Sequence, residues 1–132
     1  MRLLKETMRI QKNKFEDLVR EIHIRVIGAL PADLRAKAEL VSVITADRPS
    51  RQQLDDTGGI DDLLGLYEGI SLPERHTEDS GTLPDRITLF RLNLADYCAD
   101  MGELREEIRM TILHELGHYF GFDEDYLENR GL

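Results

Sequence analysis

The stretch Asp100–Gly121, DMGELREEIRMTILHELGHYFG, decides how the rest of the chain is read. Asp100 followed by Glu103 has the form of a capping box, and neither proline nor glycine interrupts the residues from Glu103 until Gly117, so a long helix is expected to start here. Its first turns are half charged, with Glu103, Arg105, Glu106, Glu107 and Arg109, whereas Met110–Phe120 is apolar on nearly every side apart from His114, Glu115 and His118. The helix is therefore expected to run into the core, where an imidazole or carboxylate without a partner is costly. A metal ion would be one such partner.

His114-Glu115-Leu116-Gly117-His118 is an H-E-x-x-H on that helix. Two imidazoles four residues apart sit about 40° from each other round the axis and one turn along it, so both can reach one ion at roughly 2.0–2.1 Å. Glu115 is displaced round the axis from the first imidazole. There its carboxylate can take a proton from a metal-bound water without itself being a ligand, the position of a general base. Gly121, having no β-carbon, can adopt a left-handed conformation, end the helix and turn the chain back under its last turn. The third ligand is then expected at Glu124, with Asp123 or Asp125 in its place if the turn is tighter or looser. Two histidines and a carboxylate leave the fourth position of a zinc ion open, and an ion so held lowers the pKa of its water to about 7, enough for attack on an amide carbonyl at neutral pH. On ligand type alone Fe²⁺ and Ni²⁺ suit the set as well as Zn²⁺.

H-E-x-x-H arises by chance in roughly one chain in a hundred of this composition, and requiring Gly121 and an acid at 124 lowers that to roughly one in several thousand. The competing reading is a helix whose histidines only hydrogen-bond in the core or face solvent. It has to bury Glu115 with no cation beside it.

Working back from this helix, Arg86–Leu94 (RITLFRLNL) reads as the clearest strand, with Ile87 and Leu89 on one face and Phe90, Leu92 and Leu94 on the other. Ser71–Asp85, with Pro73, Ser80-Gly81 and Pro84 among charges, reads as a mobile loop. Leu63–Ile70 (LLGLYEGI) reads as a strand whose two glycines favour an edge or a bulge, and its edge would offer backbone groups to an extended peptide. Glu39–Ala46 reads as a strand closed by Asp47-Arg48-Pro49-Ser50, with a polar loop following through Gly58-Gly59. From Lys14 to Leu30 the residues Phe15, Leu18, Val19, Ile22, Val26 and Ala29 have the spacing of an amphipathic helix that Pro31 ends.

The whole chain has 132 residues, 41% apolar, which fits one domain over residues 14–132 preceded by an extension at 1–13. Seventeen Lys and Arg against 26 Asp and Glu give a net charge of −9, which disfavours nucleic acid and anionic membranes as partners. The single cysteine, Cys98, cannot form an internal disulfide and reads as a small buried hydrophobe, in keeping with a reducing compartment. There is no apolar run of about 18 residues and no secretory signal pattern, so a soluble cytoplasmic protein is expected.

The pattern His114-Glu115-x-x-His118-x-x-Gly121-x-x-Glu124 resembles the extended zinc motif of metzincin peptidases, H-E-x-x-H-x-x-G-x-x-H/D. It is more closely similar to that of the small bacterial zincin-like metallopeptidase family, described as minimal and metzincin-like. LLGLYEG at 63–69, LPDRITLF at 83–90 and HELGHYFGFDEDYLE at 114–128 also look like that family. The resemblance implies an α+β fold in which a small mixed sheet packs against two main helices, the second presenting a metal site. It implies Zn²⁺ as cofactor and a peptide or protein as substrate. The family commonly has Asp where this chain has Glu124, and the methionine-bearing turn of metzincins has no counterpart here, since Met101 and Met110 both precede the motif.

The chain is thus expected to be a zinc metallopeptidase with His114, His118 and Glu124 on the metal and Glu115 as general base. The alternatives are a zincin-like metal-dependent endoribonuclease, which the charge of −9 and Glu115 disfavour, and a metal-binding module without turnover. Tyr67, Tyr119 and Tyr126 could each donate to a developing oxyanion but read more simply as core or rim residues, His76 as a solvated loop residue and His23 as a satisfied, half-buried one. The basic N-terminal stretch, with Arg2, Lys5, Arg9, Lys12 and Lys14, reads as solvated.

Overall fold

A computed structural model of the chain describes residues 8–75, 85–123, 125 and 129. The first helix, α1 (Lys12–Ala29), buries Phe15, Leu18, Val19, Ile22, Val26 and Ile27 on one side and stops short of Pro31, whose ring cannot continue it. Ile10, just ahead of it, is buried, and its carbonyl accepts a hydrogen bond from Arg91 at 2.7 Å. There follow α2 (Ala32–Ala38), β1 (Ser42–Ala46), α3 (Arg51–Asp56), β2 (Gly65–Glu68), a 3₁₀ turn at Leu72–Glu74, β3 (Arg86–Phe90), α4 (Arg91–Tyr97) and α5 (Met101–Phe120).

The three strands lie in the order β1-β3-β2, with β3 parallel to β1 and antiparallel to β2. The apolar content of each strand matches its place. Ile87, Leu89 and Phe90 of the central strand are fully buried, whereas β2, with Gly65 at its start, takes an edge. The long helices α1 and α5 pack on each other, α1 against β1 and α5 against β2 and β3, around a core that includes Phe15, Ile22, Leu89, Ile108, Ile112 and Leu116. This is the α+β arrangement of a small mixed sheet and two main helices. Cys98 lies in the same core.

Three expectations need correction. The strand from Arg86 ends at Phe90 rather than Leu94, because Arg91–Tyr97 coils into α4. The chain is drawn aside there by its polar groups: Leu92 N donates to Asp47 O, Arg91 to the Asp47 carboxylate, and the buried Asn93 amide to the carbonyls of Asp61 and Leu63. Leu94 and Cys98, four apart and fully buried, then serve a helix face. The loop expected after Ala46 contains α3, started by a reciprocal capping box in which Ser50 Oγ accepts from Gln53 N and Gln53 Oε1 from Ser50 N. Residues 39–41 form the turn leaving α2, so β1 begins only at Ser42.

His23 is half-buried as expected, but its Nε2 has no hydrogen-bond partner among the described residues. Of the expected loop Ser71–Asp85, residues 76–84 and hence His76 lie outside the described residues. No described helix is long and apolar enough to cross a membrane.

Candidate metal centre

The helix that carries the motif is fixed at both ends by its own sequence. At the start, the Asp100 carboxylate accepts from Glu103 N at 2.9 Å and Glu103 in turn accepts from Ala99 N at 2.7 Å. At the end, Gly121 takes a left-handed conformation with φ 90° and ψ 17°; Phe122 N donates to Gly117 O and Gly121 N to His118 O, the paired bonds of a Schellman cap. A β-carbon on Gly121 would lie 2.3 Å from Pro73 Cγ, so the glycine also lets the Leu72–Glu74 turn close onto the helix end.

Between these ends His114, Glu115 and His118 come together. The two imidazole centroids are 4.9 Å apart with the rings inclined at 75°, and a donor atom from each of the three residues lies within 4.8 Å of the others. Both histidines are half-buried and Glu115 is buried. Two ring nitrogens converging at the edge of a core suit zinc as two of its ligands, and the Glu115 carboxylate beside them suits a base, so these residues fit the ion. Glu124, Tyr126 and the rest of the acidic tail apart from Asp123 and Asp125 lie outside the described residues. Asp123 and Asp125 are exposed and contribute no atom to the group.

Glu115 is held from across the molecule. Its Oε1 accepts a hydrogen bond from the backbone N–H of Tyr67 on β2 at 2.8 Å, while its Oε2 is 4.0 Å from His114 Nε2. The approach of strand to helix depends on Gly65, since a β-carbon there would lie 2.5 Å from Thr111 Cγ2. Phe90 N donates to Leu64 O, and the alternation of an antiparallel ladder then turns the backbone groups of Gly65 and Tyr67 away from β3, toward the free edge. Tyr67 N–H is thereby free of the sheet and available to the carboxylate.

The Tyr67 side chain has a separate task. Its hydroxyl donates to Asp85 Oδ1 at 2.6 Å, and Arg75 completes the cluster by donating to Asp85 Oδ2 and to Ile70 O. The Arg75 guanidinium also stands 5.7 Å from the ring centroid of Tyr119, and the two tyrosine rings meet edge to face at 5.8 Å. Tyr119 is buried and donates to Lys37 O at 3.2 Å. Both phenols are thus committed to structure, in agreement with their reading as core or rim residues. Burial, then the hydrogen bond and charge of Asp85, push the Tyr67 phenol far above its ordinary pKa; burial first and Asp85 second raise that of Tyr119. What the sequence did not reveal was the part of Tyr67 that matters to Glu115, its peptide N–H, which no side-chain pattern marks.

A hollow of about 260 Å³ opens beside the motif between α5 and the start of β2, with His114 and Glu115 in its wall. A larger one, about 570 Å³, runs between α1 and α5 and contains none of the motif residues, so size alone does not mark the site.

The sequence profile of the family described as Zincin-like metallopeptidase matches residues 38–132, which takes in the whole sheet, α5 and the motif. The chain belongs to that family, and with it to a class of metal-dependent hydrolases for which zinc is the typical ion. No curated protein matches the chain.

Proposed function

We propose that the chain is a cytoplasmic zinc-dependent peptidase in which His114 and His118, joined by Glu124, hold the ion and Glu115 is the general base. The observation that carries this reading is the Glu115 carboxylate, buried beside two imidazoles and anchored through one oxygen to Tyr67 N–H. When bound, zinc supplies Lewis-acid polarisation of a scissile carbonyl and lowers the pKa of a water. Glu115 accepts the proton of the attacking water and passes it to the amine that leaves, a role that needs a fixed carboxylate. Its bond to the Tyr67 peptide keeps the carboxylate in one orientation, and burial keeps bulk water from competing for it. An extended peptide would lie along the free edge of β2, where the backbone groups of Gly65 and the carbonyl of Tyr67 point outward.

The test is cleavage of a mixed peptide library by the wild type and by Glu115→Gln, each with its metal content measured. Cleavage by the wild type and none by Glu115→Gln at equal metal content supports the proposal. Undiminished cleavage by Glu115→Gln removes Glu115 from the mechanism, and a metal-loaded wild type that cleaves nothing leaves a binding module.

A further inference from the structure

We propose that the hollow beside Glu115 receives the side chain of a lysine or arginine of the substrate, with Glu107 as the group that recognises its charge; this rests on the peptidase reading above. The hollow is lined by Leu63, Leu64, Gly65, Met110 and Thr111 and, among the described residues, by a single acid, Glu107, apart from the motif residues. Glu107 precedes His114 by seven residues, about 10.5 Å along the helix axis, so the carboxylate stands at the end of the hollow remote from the imidazoles.

Several other half-buried or cleft-lining acids have a cation beside them. Asp85 is paired with Arg75, Glu68 with Arg86, Asp96 with Arg48 and Glu106 with Arg109. Among the described residues Glu107 has no basic side chain within ion-pair distance. The charges that act on it are those of Glu106 and Glu103, which, after burial, raise its pKa. Leu64 also lines a second hollow with Asp61, Asp62 and the Arg48–Asp96 ion pair, so net negative charge continues past the apolar walls.

An apolar side chain could cover Leu63, Leu64 and Met110 but would strip water from the Glu107 carboxylate without replacing it. An acidic one would be repelled. Lysine or arginine does both things the hollow asks: the methylene stem lies on the apolar walls and the head makes a charge-assisted hydrogen bond to the acid.

Two measurements test this on the full chain. The first is the position-specific preference in library cleavage by the wild type, Glu107→Gln and Glu107→Lys. The second is binding, followed by NMR, of the acetylated peptides Ala-Ala-Lys-Ala-Ala and its norleucine analogue to the wild type and Glu107→Gln. The expected result is a preference for Lys or Arg at one position next to the cleaved bond by about tenfold over Met or Gln, the factor that about 1.4 kcal/mol produces. It should be lost in Glu107→Gln and turned toward Asp or Glu in Glu107→Lys. Cleavage with no basic preference, or with one that survives in both variants, overturns the inference and leaves the peptidase reading standing. Absence of cleavage with lysine-dependent binding that Glu107→Gln removes overturns the peptidase reading and supports the pocket. Absence of both overturns both.

Discussion

Gly65 of β2 and Thr111 of α5 meet so closely that a β-carbon on the glycine would lie 2.5 Å from the threonine methyl and 3.1 Å from Thr88 O. The contact sets the spacing between strand and helix at which Glu115 reaches Tyr67 N–H. Gly65→Ala is expected to cost about 1–3 kcal/mol as overpacking and to lengthen that hydrogen bond. Thr111→Ser in the same chain removes the methyl and should return part of the loss. Denaturant unfolding of the single and double variants checks this, and an unchanged midpoint for Gly65→Ala would show that the strand is not held where we place it.

At alkaline pH the Tyr67 and Tyr119 phenols are the groups to watch. Both have folded-state pKa values raised above the unfolded value of about 10, so the folded chain binds more protons than the unfolded one above that pH. Their contribution is complete below about pH 10 and is lost as the pH rises past it. Tyr67→Phe should cost about 1 kcal/mol at neutral pH, by loss of the bond to Asp85, and should make the alkaline decline shallower. Unfolding free energies measured across that range decide it; an equally steep decline in the variant would mean that Tyr67 ionises normally.

His23 gives the opposite edge of the stability profile. Burial lowers its pKa below the ordinary 6.5, and Nε2 has no partner among the described residues, so the unfolded chain binds the proton more readily. Stability is therefore kept above about pH 6.5 and falls as the pH drops through the interval between the unfolded and folded values. The residue faces Val19 on its own helix and Val43, Ile44 and Thr45 on β1, with Glu16 and Arg20 the charged groups beside it. His23→Leu should flatten the decline in melting temperature on mild acidification, and a decline as steep as in the wild type would assign it to other groups.

Gly121→Ala should loosen the end of the motif helix. Its φ of 90° costs a side-chain-bearing residue about 1–2 kcal/mol, and the added methyl would collide with Pro73. Faster amide exchange at His118, Tyr119 and Phe120 in the variant is the expected sign, and unchanged exchange there would mean that the cap does not hold the helix end.

The sequence made the motif helix legible because each of its signals is local: a cap at Asp100, an uninterrupted helix-forming run and a glycine at the point where the chain turns. The edge position of β2 was legible for a similar reason, from Gly65 and Gly69. The end of β3 was not. Leu92 and Leu94 continue the alternation of Phe90, and what stops the strand at Phe90 is a set of bonds from Arg91, Leu92 and Asn93 to residues 30 or more positions away. The short α3 had a local signal in Ser50 and Gln53 that the neighbouring Pro49 and the glycines at 58 and 59 obscured. The anchoring of Glu115 lay beyond reach for a third reason, since its donor is a backbone group 48 residues away, exposed only by the register of an edge strand.

Zinc analysis of chain purified without chelator, comparing the wild type with His114→Ala and His118→Ala, addresses the central claim most directly. The account predicts close to one equivalent of zinc in the wild type and its loss in each variant, with the helical content of all three alike. Stoichiometric zinc retained after both histidines are replaced together, or a wild type that takes up none when zinc is supplied, would contradict it.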